Sequence, residues 1–268
     1  MIFSFVLKDD YPEVAMSINL RQSFIQKFLD ISHKKILEIG VLDTPTFKKD
    51  ESDVFYMDWF SKEELYSFHR KTKSDRAEKL VDIDYVVKEK NFAHKIDSKF
   101  NLVIANHVIE HIPDTIRWLQ NISFLLKNDG YLFLAIPHKE YTFDKIRPIT
   151  SLAQIIRNYD EDLDSPNVYQ VFEHLYMHRP IKARDVWNNE YQHLLDRKRF
   201  NPKQALESAK KEVSSKKYVD VHCHIFDYNS FLCLHQDLYS MAYIDLALSG
   251  SKDVEKPGNE FLIMLQKQ

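Results

Sequence analysis

The stretch from Phe100 to Asp144 constrains this chain more than any other. Leu102 to Ala105 is a short, unbroken apolar run, the mark of a strand buried on both faces of a parallel sheet. Pro113 suits the first turn of a helix, where its missing N–H costs nothing. Ile116, Leu119, Ile122 and Leu126 then recur at three- and four-residue spacing and give one apolar face. Asn128-Asp129-Gly130 is expected to end that helix, and Tyr131 to Ile136 is a second apolar run. The pattern predicts a βαβ unit with polar residues just past the carboxyl ends of both strands. In open α/β sheets, ligands bind at that edge.

The flanking sequence extends the same rhythm. Val14, Ile18, Ile25, Phe28 and Leu29 predict an amphipathic helix over 13–31, followed by a first strand from Lys35 to Gly40. Asp53 to Asp58 reads as a second strand ending in a carboxylate, 18 residues after Gly40. An acid at that point accepts hydrogen bonds from ribose hydroxyls in nucleotide-binding α/β folds. Ser61 and Glu64 form a capping box for the next helix, and Lys79 to Tyr85 is the expected third strand. Residues 145–216 break the rhythm with Pro148, Pro166, Pro180 and Pro202 between helical patches. An insertion of that length with no strand pattern is expected to have a function. Tyr218 to Phe226 alternates and predicts the sixth strand, with His222 and His224 on one face. Asp227 is expected to cap a helix through Phe231, Leu234 and Leu238, and Glu260 to Gln266 is the last strand.

The Glu110-His111 pair after the fourth strand resembles that of class I S-adenosylmethionine-dependent methyltransferases. The segment Ile136 to Pro148 looks like a subgroup of that family found among bacterial surface-polysaccharide genes. The resemblance implies a Rossmann-like α/β fold: a seven-stranded mixed sheet flanked by helices, its last strand antiparallel, with a helical lid insertion. It divides the chain into a cofactor-binding core (1–144), the insertion (145–216) as lid or dimer surface, and strands completing the sheet (217–268). It implies S-adenosyl-L-methionine as cofactor and S-adenosylhomocysteine as product. Glu38 would lie near the methionine amino group, with Gly40, Val41 and Leu42 as the cofactor loop. Asp58 would hold the ribose, Asp84 (with Asp82 as the alternative) the adenine amino group, and Asn106 would flank the sulfonium. His107, His111, His138 and Tyr141 are the candidate catalytic residues, with histidine the natural base near neutrality. The chain departs from the family in its loop, where only Gly40 remains of the usual glycines; the whole chain has four.

The resemblance points to methyl transfer onto a small polar acceptor, an oxygen of a sugar, nucleotide-linked or capsule-type metabolite. The glycine-poor loop keeps open a second reading, a cofactor-binding but inactive partner subunit. A net charge of −3 gives no reason to expect nucleic acid. No apolar run approaches the roughly 20 residues needed to span a bilayer. The first ten residues lack the basic flank of a secretory leader, and Cys223 and Cys233 make no disulfide framework, so a cytoplasmic location is expected. His107-Val-Ile-Glu110-His111 also matches the His-x-x-Glu-His pattern of inverted zinc proteases, but that motif must lie on one helix and Pro113 starts the helix later. A divalent metal held by His111, His138, His174 and His222 is a further alternative, with no ligand committed.

Overall fold

The computed structural model describes residues 11–71 and 76–268. Its elements are α1 (Tyr11–Ile25), β1 (Lys35–Ile39), β2 (Asp53–Asp58), α2 (Lys62–Lys71), β3 (Tyr85–Val86), β4 (Phe100–Asn106), α3 (Thr115–Leu125) and β5 (Leu126–Pro137). The helices α4 (Leu152–Asp160), α5 (Val168–Met177), α6 (Ala183–Trp187), α7 (Pro202–Ser214) and α8 (Tyr228–Ser240) follow, then β6 (Leu246–Lys252) and β7 (Glu260–Lys267). The seven strands form one sheet in the order β3-β2-β1-β4-β5-β7-β6. β7 runs antiparallel to both its neighbours, and the other pairs are parallel. This is the expected mixed sheet of the Rossmann-like class I methyltransferase architecture.

Alternation along the strands builds two apolar layers. Leu37, Ile39, Val103, Leu132, Leu134 and Ile136 face one side, together with α3 and α8. Ile36, Leu102, Ile104, Phe133 and Ala135 face the other, against Phe24 and Ile25 of α1. On α3 the periodic residues Ile116, Leu119, Ile122 and Leu125 are almost wholly buried, each worth about 1.5–3 kcal/mol as an upper estimate. Asp114 caps α3 through the Arg117 N–H at 3.0 Å, which leaves Pro113 just outside the helix. The helix stops at Leu125, earlier than expected, and Leu126 already pairs with Phe100. Gly130 is required there, since a Cβ would sit 2.9 Å from the Lys127 carbonyl oxygen.

Two strand assignments need correction. Tyr218–Phe226 is extended but is not the sixth strand, and only Phe226 bridges to His138. Its donors go elsewhere: Cys223 and His224 N–H to the Glu110 carbonyl at 2.7 and 3.1 Å, and Ile225 N–H to Thr150 Oγ1 at 2.8 Å. The sheet edge is taken instead by β6, a half-exposed strand. The third strand is likewise shorter than expected and comprises only Tyr85 and Val86. The expected first helix ends at Ile25, with Phe28 and Leu29 packing from the turn beyond. The reading of the first ten residues lies outside the described part of the chain.

Residues 145–216 hold α4 to α7 and no strand. Helix α4 packs on α3, and α5 packs on α7 around Val171, Ala209, Val221 and Cys223. Arg147 pins the segment to the core. It is buried, and it donates to Asp144 Oδ1 (2.8 Å), to Glu173 Oε1 on α5 (3.1 Å) and to the His222 carbonyl (3.0 Å). Among the described residues, no helix is long and apolar enough to cross a membrane.

Candidate active site at the reversal of strand order

The strand order reverses between β1 and β4, and ligands of doubly wound sheets bind outside the carboxyl ends of the strands at such a point. Glu38, Gly40, Asn106 and His107 all stand there. Gly40 adopts φ +71°, and a Cβ on it would meet Val108 Cγ2 at 3.0 Å, so conformation and space both call for glycine. Leu42 and His107 take φ 52° and 53° without being glycine. Such backbone is held only where its surroundings over-determine it, and it clusters at functional sites.

The surroundings of the β1 loop are visible. Glu38 is buried and accepts from Thr46 N–H (2.9 Å), Thr46 Oγ1 (2.7 Å) and Asn106 Nδ2 (3.0 Å). Gln22 holds the Thr46 carbonyl and Tyr56 Oη the Phe47 carbonyl. Side chains thus fix a loop that glycines do not shape. Burial pushes the Glu38 carboxyl up to about 7, against the opposing pull of the Thr46 bonds. The residue expected beside the methionine amino group is therefore an internal clamp. Val41 is buried with the second apolar layer, and the Leu42 carbonyl accepts from Val81 N–H.

Asp58 ends β2 as expected. Burial raises its pKa, and the Phe60 N–H orients it at 2.9 Å. Trp59 and Phe60 pack on Tyr218 with ring centroids 5.8 and 5.1 Å apart, walling this corner. Asp84 is placed differently from its expected role. It lies beside the middle of β2, where Oδ2 accepts from Tyr56 N–H (2.8 Å) and Oδ1 pairs with Lys49 (2.7 Å). Asp82 is on the surface and pairs with Lys62. Neither carboxylate stands at the strand's carboxyl end.

Past β4 the chain makes one tight turn over Ile109–His111, so the His-x-x-Glu-His run is not a protease helix. His107 Nε2 lies 2.7 Å from Glu260 Oε2, and Glu260 is gripped by Nε and Nη2 of the Arg21 guanidinium from α1. Burial would raise the Glu260 carboxyl, but Arg21 and His107 outweigh it and hold it well below the carboxylate range. His111 Nδ1 lies 3.0 Å from Asp220 Oδ1, off the line of a well-aligned hydrogen bond, and its ring stands perpendicular to that of His222 at 4.7 Å. Burial favours neutral His111, yet Asp220 and Glu110 push it up to about 9. His222 Nδ1 is bonded to Asp144. Burial alone would raise Asp144, while His222 and Arg147 drive it far below its ordinary value.

His138 and Tyr141 form a separate group after β5. His138 Nδ1 accepts from the Glu140 N–H (3.2 Å), and burial lowers its pKa. Tyr141 stacks on Trp187 of α6 at 4.2 Å, and the Trp187 indole donates to the Gly258 carbonyl. Of the four histidines considered as metal ligands, His111 and His222 bring ligand atoms within 4.8 Å of each other and of Glu110. His174 Nδ1 accepts from the His222 N–H, and His138 keeps to its aromatic group. His224 donates to the Pro113 carbonyl and is lowered to about 4 by burial, which marks it as structural. The sequence reading missed Arg21, Asp144, Asp220 and Glu260. Only the Glu110-His111 pair and the His222/His224 spacing signalled the cluster.

No curated protein matches the chain. Among solved structures, it is similar to a putative zinc-dependent alcohol dehydrogenase from Rhodobacter sphaeroides, at 12% identity over 92% of this chain and 89% of that one, TM-score 0.45. It is also similar to the N-methyltransferase NodS of Bradyrhizobium japonicum with bound S-adenosyl-L-homocysteine, at 9% identity over 98% and 91%, TM-score 0.46. A third is the magnesium protoporphyrin IX methyltransferase ChlM of Synechocystis, at 8% identity over 100% and 90%, TM-score 0.45. The model of a methyltransferase domain matches residues 20–180, which take in β1 to β5, Gly40, Asn106 and the Glu110-His111 turn. With that match over more than half its length, and the sheet order already described, this chain belongs to the methyltransferase domain family.

Proposed function

We propose that the protein transfers a methyl group from S-adenosyl-L-methionine to an oxygen of a small polar acceptor. The observation that carries this reading is the fixed β1 loop beside Asn106 at the reversal of strand order. Asn106 Oδ1 is buried and, among the described residues, accepts no hydrogen bond. Such an acceptor fits the ammonium end of the cofactor, and the main chain of Gly40, Val41 and Leu42 would lie along it. Asp58, oriented by Phe60, would accept from the ribose hydroxyls. The cofactor supplies an electrophilic methyl on a sulfonium.

The protein's part is to align the acceptor in line with that methyl and to exclude water. His138, kept neutral by burial, is the base that suits an acceptor hydroxyl near neutral pH once its Nδ1 lone pair is released from the Glu140 N–H. With no cation bound beside it, His111 is pushed up to about 9 and keeps its proton there. The insertion would act as the cover, with Trp187 laid over Tyr141; a homodimer through its outer face is the other use of the same segment. A sugar, nucleotide-linked or capsule-type acceptor rests on the Ile136–Pro148 resemblance, and a cytoplasmic location on the sequence alone. The test is incubation with the cofactor and a panel of sugar phosphates and nucleotide sugars, read by mass spectrometry for the gain of one methylene unit. Cofactor binding without transfer to any of them favours the inactive-partner reading.

A further inference from the structure

Glu110 is among the most deeply buried carboxylates in the molecule, at 1% exposure, and, among the described residues, neither of its side-chain oxygens has a hydrogen-bond partner. A bare buried carboxylate is costly unless a cation meets it. Two imidazole nitrogens, His107 Nδ1 and His111 Nε2, each lie 3.8 Å from Glu110 Oε1, and His107 is already engaged by Glu260 through its Nε2. One ligand atom each from Glu110, His111 and His222 lies within 4.8 Å of the others.

The backbone brings the three together from distant sequence. The Glu110 carbonyl takes the N–H groups of Cys223 and His224, which fixes the 218–226 segment against the Ile109–His111 turn. Each imidazole is also backed by a carboxylate on its Nδ1 side: Asp144, itself held by Arg147, behind His222, and Asp220 behind His111. That arrangement leaves Nε2 of both rings as the ligating atom, and outer carboxylates of this kind orient and strengthen metal-bound histidines.

We infer that Glu110, His111 and His222 bind one divalent transition-metal ion. Two imidazole nitrogens and one carboxylate suit Zn²⁺, Mn²⁺ or Fe²⁺ better than Mg²⁺ or Ca²⁺, which prefer all-oxygen shells. Ligand atoms about 2.0–2.1 Å from a tetrahedral ion stand about 3.3 Å apart, so small side-chain rotations close the set. Three protein ligands leave a position open. An acceptor oxygen placed there would lose its proton more readily, a role that rests on the methyl-transfer reading; metal binding does not.

The experiment takes the full chain, stripped with EDTA and desalted, and titrates it by calorimetry with Zn²⁺ and with Mn²⁺, each alone. One equivalent per chain is expected, with His222→Ala and Glu110→Gln each weakening it at least about 100-fold and Asp144→Asn about 10–100-fold. His193→Ala, at an exposed site, should bind as the parent does. Co²⁺ added to the unaltered protein should give the visible absorption of a four- or five-coordinate site, which keeps the test valid if a variant fails to fold. Cofactor affinity of the stripped protein, titrated separately, should be unchanged, so failure of the metal and failure of the methyltransferase reading remain distinct. Absence of stoichiometric metal binding, or equal binding by His222→Ala, overturns the inference, and Glu110 is then balanced by a protonated His111.

Discussion

Replacing Thr46 with valine isolates the clamp that shapes the β1 loop. The side chain stays β-branched and similar in volume, so no sizeable cavity opens at this buried site. What is lost is the hydroxyl, which donates to Glu38 Oε1 at 2.7 Å and accepts from Asn106 Nδ2 at 2.9 Å. The Thr46 N–H bond to Glu38 and the Asn106 bond to Glu38 remain. A bond to an ionised carboxylate is worth about 1.5–3 kcal/mol, and one to a neutral group about 0.5–1.5 kcal/mol.

The size of the effect therefore depends on pH. Folding raises the Glu38 pKa from 4.5 to about 7, so the folded state binds more protons between those values. This group's contribution is then most favourable below about 4.5 and declines as pH rises towards 7. At pH 8 Glu38 is charged, and Thr46→Val should cost about 1.5–3 kcal/mol, or roughly 3–10 °C in Tm for a domain of this size. At pH 5.5 the carboxyl is mostly protonated and the cost should fall to about 0.5–1.5 kcal/mol. Thermal melts at the two pH values, each against the parent protein, read the difference directly. An equal loss at both, or no loss at pH 8, would refute the clamp.

Arg147→Ala leaves Asp144 buried with one cation fewer and should destabilise by about 3–5 kcal/mol in denaturant unfolding; an effect below 1 kcal/mol would mean the ion pair does not anchor the insertion. Trp187→Ala removes the ring stacked on Tyr141 and the bond to Gly258, so limited proteolysis should cut within 145–216 faster than in the parent. Unchanged cutting would remove α6 from the cover.

Strands β1, β4, β5 and β7 were legible because each is an apolar run or an alternation ending at a polar edge. The sixth strand was not. Tyr218–Phe226 alternates as a strand does, but its N–H groups are taken by Glu110, Thr150 and His174, a choice that only the tertiary fold makes. The true β6 carries Ser249-Gly250-Ser251 and is only partly buried along most of its length, so it shows no clear apolar run or alternation. At the site, Gly40, Asp58 and Asn106 could be placed by counting from strand ends. The inward turn of Glu38 could not, because its partner Thr46 lies across a loop whose path no local pattern dictates. His222 joins Glu110 across more than a hundred residues, which spacing alone does not reveal.

Calorimetric titration of S-adenosylhomocysteine into the parent protein and Asp58→Ala tests the central claim most directly. Loss of ribose hydrogen bonds to a carboxylate should weaken binding by about 1.5–3 kcal/mol, with the Tm in the absence of ligand little changed. Undetectable binding to the parent, or equal affinity in a folded Asp58→Ala, would contradict a cofactor site at the reversal of strand order.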